Sequence, residues 1–274
     1  MSELYDVLAS AIRSVQPVAL AEVVEGPDEA LGAKLLVRPG PPVQSLGSLG
    51  DADLDRVVTR DALGELAAGL TASRHYGLHG EARARDLTVF IESFAPPPRM
   101  IIFGAVDFTA ALAKVAKILG YRVTVCDARP VFATAARFPM ADDVVVAWPD
   151  KHLAEVGHLL GPRDAVCVLT HDPKFDVPAI VAGLTTQVGY LGAMGSRRTT
   201  DDRAARLREA GVDDAGLARV MGPIGLDIGA RTPEETAVAI CAEMIAMRTG
   251  KDAPSLRDRE GPIHRDLISQ ERPS

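Results

Sequence analysis

The chain has 274 residues, of which 47% are hydrophobic and 24% charged, so it can bury a sizeable core. The formal net charge of −7 argues against general binding of nucleic acid or of an anionic membrane surface. The three cysteines have no CxxC spacing, so we expect neither a disulfide framework nor a structural metal site. Because the start lacks a signal-peptide pattern and no apolar run reaches membrane-spanning length, we expect a cytoplasmic protein.

The first third of the chain predicts a small α+β domain. Apolar spacing predicts helices and β-branched runs predict strands. The predicted elements are helices at 3–15 and 54–70 and strands at 18–24, 34–37 and 87–93. Consecutive prolines at 96–98 favour an extended spacer, so we assign this domain to residues 1–94 and a linker to residues 95–99.

Short apolar strands alternate with helices after the linker. The predicted strands are 99–103, 121–126, 143–147, 165–170 and 187–191, and the helices are 110–119, 150–160, 177–184, one starting near Thr200, and 237–247. This alternation is typical of a parallel sheet with right-handed crossovers. We therefore predict a doubly wound α/β domain over residues 100–250. The polar segment 251–274 shows no buried face and predicts a mobile tail or an arm that wraps a partner.

The turn after the strand at 99–103 is the first candidate ligand site. A dinucleotide-binding turn needs three small positions, which allow a tight turn, close approach to the pyrophosphate and helix packing. Gly104 fills the first position and Ala105 follows it, but the β-branched Val106 stands at the close-approach position. The helix N-terminus still offers N–H groups to an anion, although Asp107 in its first turn would repel a phosphate.

Asp127 follows the next strand, 23 residues after Gly104, where a nucleotide site has its ribose-hydroxyl acceptor. The alternative is a solvated turn acid beside Arg129, and the sequence leaves both interpretations open. We include both residues in the predicted site.

His171 and Asp172 follow the strand at 165–170. Open α/β sheets bind ligands at the carboxyl ends of their strands, so both side chains are candidates. His171 could donate a proton, ligate a metal or contact a phosphate, or it could simply orient its loop. No second histidine lies nearby, so the sequence does not favour a metal site.

A loop with two glycines, a hydroxyl and a guanidinium follows the strand at 187–191. Gly192 and Gly195 would let the backbone approach a ligand, and Ser196 with Arg197 would complete an anion-binding loop. The alternative is a strand-to-helix connection whose arginines are only solvated.

The last candidate loop precedes a helix. Thr232, Pro233 and Glu235 form a capping box, which is a structural signal. Before it, Gly225 and Gly229 flank Asp227 in a loop that could approach a ligand or that Asp227 could fix through an Asx turn.

Together these segments resemble the XdhC/CoxI family. The matching stretches, in the family's order, are the turn at Gly104, VTVCDAR, Arg137-Phe138, LTHDPKFD, YLGAMGSRR and PIGLDIGARTPEE. They cover about residues 100–250, and the linker with its small preceding domain fits the family's two-part layout. The resemblance implies a Rossmann-like doubly wound, mostly parallel sheet with a smaller N-terminal α+β domain.

The resemblance also implies a chaperone with no catalytic residues rather than a turnover enzyme. Family members help mature xanthine dehydrogenase and related molybdenum hydroxylases. They bind the molybdenum cofactor, protect it during sulfuration and deliver it to the apoenzyme. This cofactor is a flat, anionic molybdopterin that ends in a phosphate or a nucleotide. The implied partners are the apoenzyme and a cofactor sulfurase, and family analogy implies a homodimer.

Two departures from the family pattern mark a divergent member. The family's GxG-type turn followed by His is here Gly104-Ala105-Val106-Asp107. The family's Gly-rich, cysteine-containing N-terminal segment corresponds to 47–55, with Asp53 at the expected cysteine, so this segment offers molybdenum no thiolate. Two other functions stay open: an NAD(P)-dependent oxidoreductase built on the unit from Gly104 to Asp127, and a regulatory paralogue that binds only protein.

Overall fold

A computed structural model describes residues 2–82 and 84–259. Their contacts divide the chain into two units, one running to Pro96 and including the described residues from Ser255, the other running from Pro97 to Pro254. No helix within the described ranges is long and apolar enough to cross a bilayer. Most of the predicted tail at 251–274 lies outside these ranges, which end at residue 259.

The first unit is an antiparallel sheet with two helices. Its elements are α1 (Ser2–Arg13), β1 (Val18–Glu25), β2 (Lys34–Arg38), β3 (Gln44–Ser48), α2 (Ala52–Ala68), β4 (Ala72–Tyr76) and β5 (Leu87–Phe94). The strand order is β3-β2-β1-β5-β4. Side chains of α2 such as Leu54 and Val58 pack on Ala21 and Leu35 of the sheet. The predicted α+β character of this unit is confirmed.

The second unit is a parallel sheet between helices. Its elements are β6 (Arg99–Phe103), α3 (Asp107–Ile118), β7 (Arg122–Cys126), β8 (Asp143–Val145), α4 (Pro149–Val156), β9 (Ala165–Val168), α5 (Pro173–Leu184), β10 (Tyr190–Ala193), α6 (Arg197–Glu209), α7 (Asp214–Ala218), β11 (Val220–Met221) and α8 (Pro233–Thr249). The strand order is β11-β10-β9-β6-β7-β8, with every pairing parallel.

Helices cover both faces of this sheet because alternate residues of each strand point to opposite sides. Met100 and Ile102 of β6 pack in one core with side chains of α3 and α8. Ile101 and Phe103 pack in the other core with side chains of α4, α5 and α6. Burial on both faces explains the uninterrupted apolar run of β6. The predicted Rossmann-like doubly wound fold is confirmed.

Several boundaries differ from the sequence prediction, and some elements were not predicted. Helix α6 begins at Arg197 rather than near Thr200, because the Ser196 hydroxyl accepts a hydrogen bond from the Thr199 amide and caps the helix. Strand β10 starts at Tyr190, three residues later than expected. The unpredicted elements are β3, β4, α7 and β11.

Candidate functional site

The strand order fixes where a ligand cleft can form in the second unit. From β6 the chain moves outward through β7 and β8, and from β9 it moves outward in the opposite direction through β10 and β11. The loops after β6 and β9 therefore diverge and leave a crevice at the carboxyl ends of these strands. A cleft of about 460 Å³ lies there, lined by Val106, Arg129, residues 169–173 and Phe175.

The turn after β6 forms one wall and requires glycine at position 104. Gly104 has φ +107°, and a Cβ there would lie 2.7 Å from Cγ2 of Thr170 in the facing loop. Its amide donates to the Cys126 carbonyl (2.9 Å), and its carbonyl accepts a hydrogen bond from the Thr109 hydroxyl. The turn is therefore tied to β7 and α3 and pressed against the loop that follows β9.

Asp127 is buried, and its carboxylate is fully occupied by protein donors. Oδ2 accepts hydrogen bonds from the Ala105 amide (2.8 Å) and from Nη2 of Arg129 (2.8 Å). Oδ1 accepts from the amide and Nε of Arg129, both at 2.9 Å. Burial raises the pKa of Asp127, but these hydrogen bonds outweigh burial and hold the pKa below its usual range. The alternative of a solvated turn acid is therefore wrong, because Asp127 is only 4% exposed.

Two guanidinium groups lie near the turn after β6, and that of Arg129 lines the cleft. The Arg129 guanidinium lies 4.6 Å from the Phe132 ring centroid and 5.8 Å from that of Phe175. Nη1 of Arg137 donates to the carbonyls of Ala105 (3.2 Å) and Phe132 (3.1 Å). Arg129 is thus bound by the Asp127 carboxylate and also lies over the rings of Phe132 and Phe175.

Helix α3 begins at the cleft without a side-chain cap. Val106 is the N-cap residue and makes no capping hydrogen bond. The Thr109 amide donates to the Val106 carbonyl (3.0 Å), whereas the amides of Asp107 and Phe108 have no acceptor one turn earlier in the helix. The N-terminus of α3 therefore keeps these two donors and the positive dipole end that suit an anion. Asp107, predicted in the first turn, does lie there, with its side chain 94% exposed and 4.0 Å from Nη2 of Arg137.

The loop after β9 carries both predicted residues into the cleft lining. His171 and Asp172 are exposed, and both line the cleft. The Asp172 carboxylate also accepts a hydrogen bond from the Lys174 amide (3.0 Å), so it caps α5. Thr170, which is named from the sequence only within the LTHDPKFD stretch, lies in the same lining.

A buried ion pair lies behind Thr170. The Thr170 hydroxyl donates to Oδ1 of Asp176, and Nη2 of Arg203 donates to Oδ2 of Asp176 (3.1 Å) and to the Met194 carbonyl (2.6 Å). Both charged side chains are nearly inaccessible, and Nε and Nη1 of Arg203 have no hydrogen-bond partner. Burial raises the pKa of Asp176 despite the hydrogen bonds from Thr170 and Arg203. The network joins the loops that follow β9 and β10.

Among the described residues that line the cleft, none comes from the glycine-rich loop after β10. Gly192 is buried, and a Cβ there would lie 2.6 Å from Ile224, so this glycine serves packing rather than ligand approach. Gly195 packs against Thr199 of α6, and the Ser196 hydroxyl caps that helix. Arg197 is exposed at the first position of α6. An anion site at Ser196 and Arg197 stays a prediction.

The loop before α8 also lies outside the described cleft lining. Gly225, at φ +96°, packs against the backbone of α8, and its amide donates to the buried Glu243 carboxylate (3.0 Å). The same carboxylate accepts the Tyr190 hydroxyl (2.5 Å), so Gly225 has a structural role. Asp227 and Gly229 are exposed, and ligand binding by them stays a prediction. The predicted capping box of α8 is present.

The cysteines are unsuited to act as thiolate ligands. Cys126, Cys167 and Cys241 are free and buried. Burial raises the pKa of Cys126 to about 12 and of Cys241 to about 11, and it raises the pKa of Cys167 further. In the first unit, Asp53 lies in the first turn of α2 and pairs with Arg56 on the surface.

Comparison with known proteins agrees with this architecture. A family model described as the XdhC Rossmann domain matches residues 100–244, more than half of the chain, and one described as the XdhC and CoxI family matches residues 11–77. The chain belongs to the XdhC and CoxI family. Its matched Rossmann domain contains every residue that lines the described cleft.

Three curated relatives and one crystal structure are similar to this member of the family. A probable xanthine dehydrogenase subunit of Bacillus subtilis is 32% identical over 195 residues, covering 65% of this chain and 56% of the relative. An uncharacterised protein, YqeB, of Escherichia coli is 27% identical over 262 residues, covering 92% of this chain and 47% of the relative. The molybdenum cofactor insertion chaperone PaoD of Escherichia coli is 26% identical over 170 residues, covering 62% of this chain and 46% of the relative.

The chain thus spans about half the length of the curated relatives it matches. The crystal structure of a protein described as a xanthine dehydrogenase from Bacillus halodurans aligns with a TM-score of 0.53 at 21% identity, covering 92% of this chain and 98% of that one. At this identity the likeness concerns the fold alone.

Sequence reasoning missed the residues whose roles depend on distant partners. Phe175 lines the cleft, Arg137 braces the turn at Ala105, and Arg203 supports Thr170 through Asp176. Arg137 lies in the Arg137-Phe138 stretch that carries the family resemblance, so that motif was an available signal. Arg203 lies in a strongly charged helix and had no comparable signal.

Proposed function

We propose that this protein binds the molybdenum cofactor in the cleft between β6 and β9 and delivers it to the apoenzyme of a molybdenum hydroxylase. The observation that carries the proposal is a cleft at the strand-order reversal that combines apolar walls, a braced guanidinium and an uncapped helix N-terminus. A maturation role is further supported by the family membership and by the relative named as a molybdenum cofactor insertion chaperone.

The chemistry of the lining suits a flat, anionic cargo. Val106, Leu169 and Phe175 offer apolar and aromatic surface against which a pterin ring system can pack. Arg129 and the N-terminal amides of α3 offer donors to a phosphate. These groups lie at the same end of the sheet, so one ligand can use both.

The buried cysteines favour a carrier that leaves the metal end of the cargo free. None of the three thiols is exposed, and their raised pKa values disfavour thiolates. Within the described residues, no group of three His, Cys, Asp or Glu side chains is arranged to hold a metal ion. We infer that the protein would hold the cofactor through its pterin and phosphate, which keeps the molybdenum available to a sulfurase and to the receiving enzyme.

Retention of the cofactor by cleft variants tests this proposal. Molybdenum cofactor is mixed anaerobically with the purified chain, and its retention is measured after gel filtration. Val106→Phe, which fills the cleft, is compared with Val131→Phe, because Val131 is an exposed valine outside the cleft lining. We expect retention by the wild type and by Val131→Phe and its loss in Val106→Phe.

Activation of a molybdenum hydroxylase apoenzyme is the second readout, and it should follow cofactor retention. No retention by the wild type would contradict the proposed function. Equal retention by both valine variants would contradict this cleft as the binding site.

The partners and the two other functions are also proposals, and they have less support. A hydroxylase apoenzyme, a cofactor sulfurase and a second copy of the chain are expectations from the family resemblance, and a cytoplasmic setting is an expectation from the sequence. The NAD(P)-dependent oxidoreductase is less well supported, because Val106 stands at the close-approach position and Asp127 is occupied. The open cleft gives the ligand-free regulatory paralogue no support.

A further inference from the structure

We propose that the cleft selects the molybdopterin form ending in a phosphate monoester over the form extended by a nucleotide. Arg129 and Val106 would set this selectivity. The inference rests on the proposed function, since it concerns the same cleft and the same class of cargo. Three observations support it, one on each of Asp127, Arg129 and Val106.

Asp127 has no capacity left for a ribose. A carboxylate accepts about four hydrogen bonds. Asp127 already accepts four, from the Ala105 amide and from the amide, Nε and Nη2 of Arg129. In a nucleotide-binding sheet of this order, the acid at this strand end accepts a ribose hydroxyl. Here a ribose could bind only by displacing a charge-assisted bond from a buried acid, which disfavours the nucleotide form.

Arg129 presents its remaining donors in a fixed orientation. Its Nε and Nη2 are bound to Asp127, and the guanidinium lies over Phe132. The side chain is 45% exposed and lines the cleft, and its described hydrogen bonds do not use Nη1. A planar guanidinium held in this way donates to a phosphate without first losing rotamer freedom. A phosphate monoester also concentrates its negative charge on one terminal phosphate, whereas the pyrophosphate of the nucleotide form divides its charge between two phosphates.

Val106 restricts the route that a pyrophosphate would follow. The side chain lines the cleft at the N-cap of α3, the position where a dinucleotide site keeps a glycine so that the pyrophosphate can approach the backbone. The cleft volume, about 460 Å³, lies toward the lower end of the roughly 300–1,000 Å³ typical of ligand pockets. Both features favour the shorter cargo.

The charges around the cleft make the recognition directional. Arg129 and Arg137 are offset by Asp127, with which Arg129 pairs, and by Asp107, which lies 4.0 Å from Arg137. Asp172 also lines the cleft and is engaged as the cap of α5. With no large excess of positive charge, selectivity would come from aimed N–H groups rather than from a general attraction of anions.

Competition between cofactor forms tests the selectivity. The full chain is titrated anaerobically with the phosphate form, its phosphatase-treated derivative and the cytosine dinucleotide form. Binding is measured by the fluorescence of Trp148, the single tryptophan of the chain, and by retention on gel filtration. We expect the phosphate form to bind about 10- to 100-fold more tightly than either other form, the range of one or two charge-assisted hydrogen bonds.

Two variants act on the two selectivity elements separately. Arg129→Ala should reduce the preference for the phosphate form to less than about threefold, whereas Arg208→Ala, a surface arginine of α6, should leave it unchanged. Val106→Gly should raise the affinity for the dinucleotide form about tenfold relative to that for the phosphate form. Glycine is tolerated at an N-cap, so Val106→Gly keeps the proposal testable if Arg129→Ala fails to fold.

The possible outcomes distinguish failure of this inference from failure of the proposed function. Absence of binding of every form by the wild type would contradict the proposed function itself. Binding of the phosphate and dinucleotide forms with equal affinity by the wild type would overturn the inference alone. If each variant changed its affinity for all three cofactor forms by the same factor, neither Arg129 nor Val106 would determine the selectivity, and the inference would also be overturned.

Discussion

Trp148 stacks on Phe175, with ring centroids 4.8 Å apart and ring planes inclined by 25°. Phe175 lines the cleft, while Trp148 is about half exposed at the N-cap of α4. The ring that lines the cleft is therefore in contact with the ring that fluoresces. The Arg129 guanidinium lies 5.8 Å from the same Phe175 centroid, so the cation and both rings share one environment.

This contact predicts that filling the cleft changes the emission of Trp148. A ligand that packs against Phe175 should give a saturable change in intensity or wavelength. Phe175→Leu should at least halve that change, because the stacking partner is lost. Phe90→Leu, a matched change in β5 of the first unit, should leave it intact. An undiminished change in Phe175→Leu would show that the fluorescence does not report cleft occupancy through this contact.

Gly104 should tolerate alanine less well than Gly120. Gly104 and Gly120 both have positive φ, +107° and +82°, but only at Gly104 would a Cβ meet a neighbour, Cγ2 of Thr170 at 2.7 Å. Gly120→Ala should lower the free energy of unfolding by about 1–2 kcal/mol through backbone strain. Gly104→Ala should cost about 1–3 kcal/mol more through overpacking.

Urea denaturation of both glycine variants measures this difference. Far-ultraviolet circular dichroism provides the control that each variant retains its secondary structure before unfolding. Equal losses of stability would indicate that the Thr170 loop moves aside at little cost.

The buried pair of Asp176 and Arg203 should show strong non-additivity. Arg203→Met leaves a buried carboxylate and Asp176→Leu leaves a buried guanidinium, so each single change should cost about 3–5 kcal/mol. The double change removes both charges and the two unpartnered guanidinium nitrogens, and it should cost less than either single change. Chemical denaturation of the four proteins measures the cycle, and additive costs would refute a coupled pair.

His152 should make stability fall on mild acidification. It is buried against Phe103, its Nδ1 has no hydrogen-bond partner, and burial lowers its pKa although Glu155 and Asp143 raise it. The unfolded chain therefore binds a proton below about pH 6.5 where the folded chain does not. Stability is retained above that pH and is lost as pH falls toward the lowered pKa of the folded state.

His152→Leu should remove this component of the pH dependence. The comparison is the difference in unfolding free energy between wild type and variant from pH 7.5 to pH 5, because other groups, such as Asp176, titrate in both proteins. We expect the variant to gain relative stability as the pH falls. A difference that stays constant across this range would show that His152 does not titrate differently on folding.

The overall architecture could be predicted because it depends on local patterns. The apolar runs at β6, β7 and β9, separated by helical periodicity, require a parallel sheet covered on both faces. The predicted capping residue Thr232 lies three residues from the Glu235 amide that it binds. The strands β3 and β4 escaped prediction because their sequences, QSLGS and ASRHY, are polar and are strands through pairing with β2 and β5.

The sequence alone determined the alternation of strands and helices, the family resemblance and the loops that follow the carboxyl ends of the strands. Only the tertiary structure decided which of those loops share the cleft. It joined Val106, Arg129 and His171 there, and it gave Gly192 and Gly225 to packing. It also showed that the Asp127 carboxylate, a candidate acceptor in the sequence, already accepts hydrogen bonds from Ala105 and Arg129. The physical reason is that hydrophobic periodicity is set by neighbours along the chain. The hydrogen-bonding capacity that a polar group has left depends instead on partners that only folding brings near.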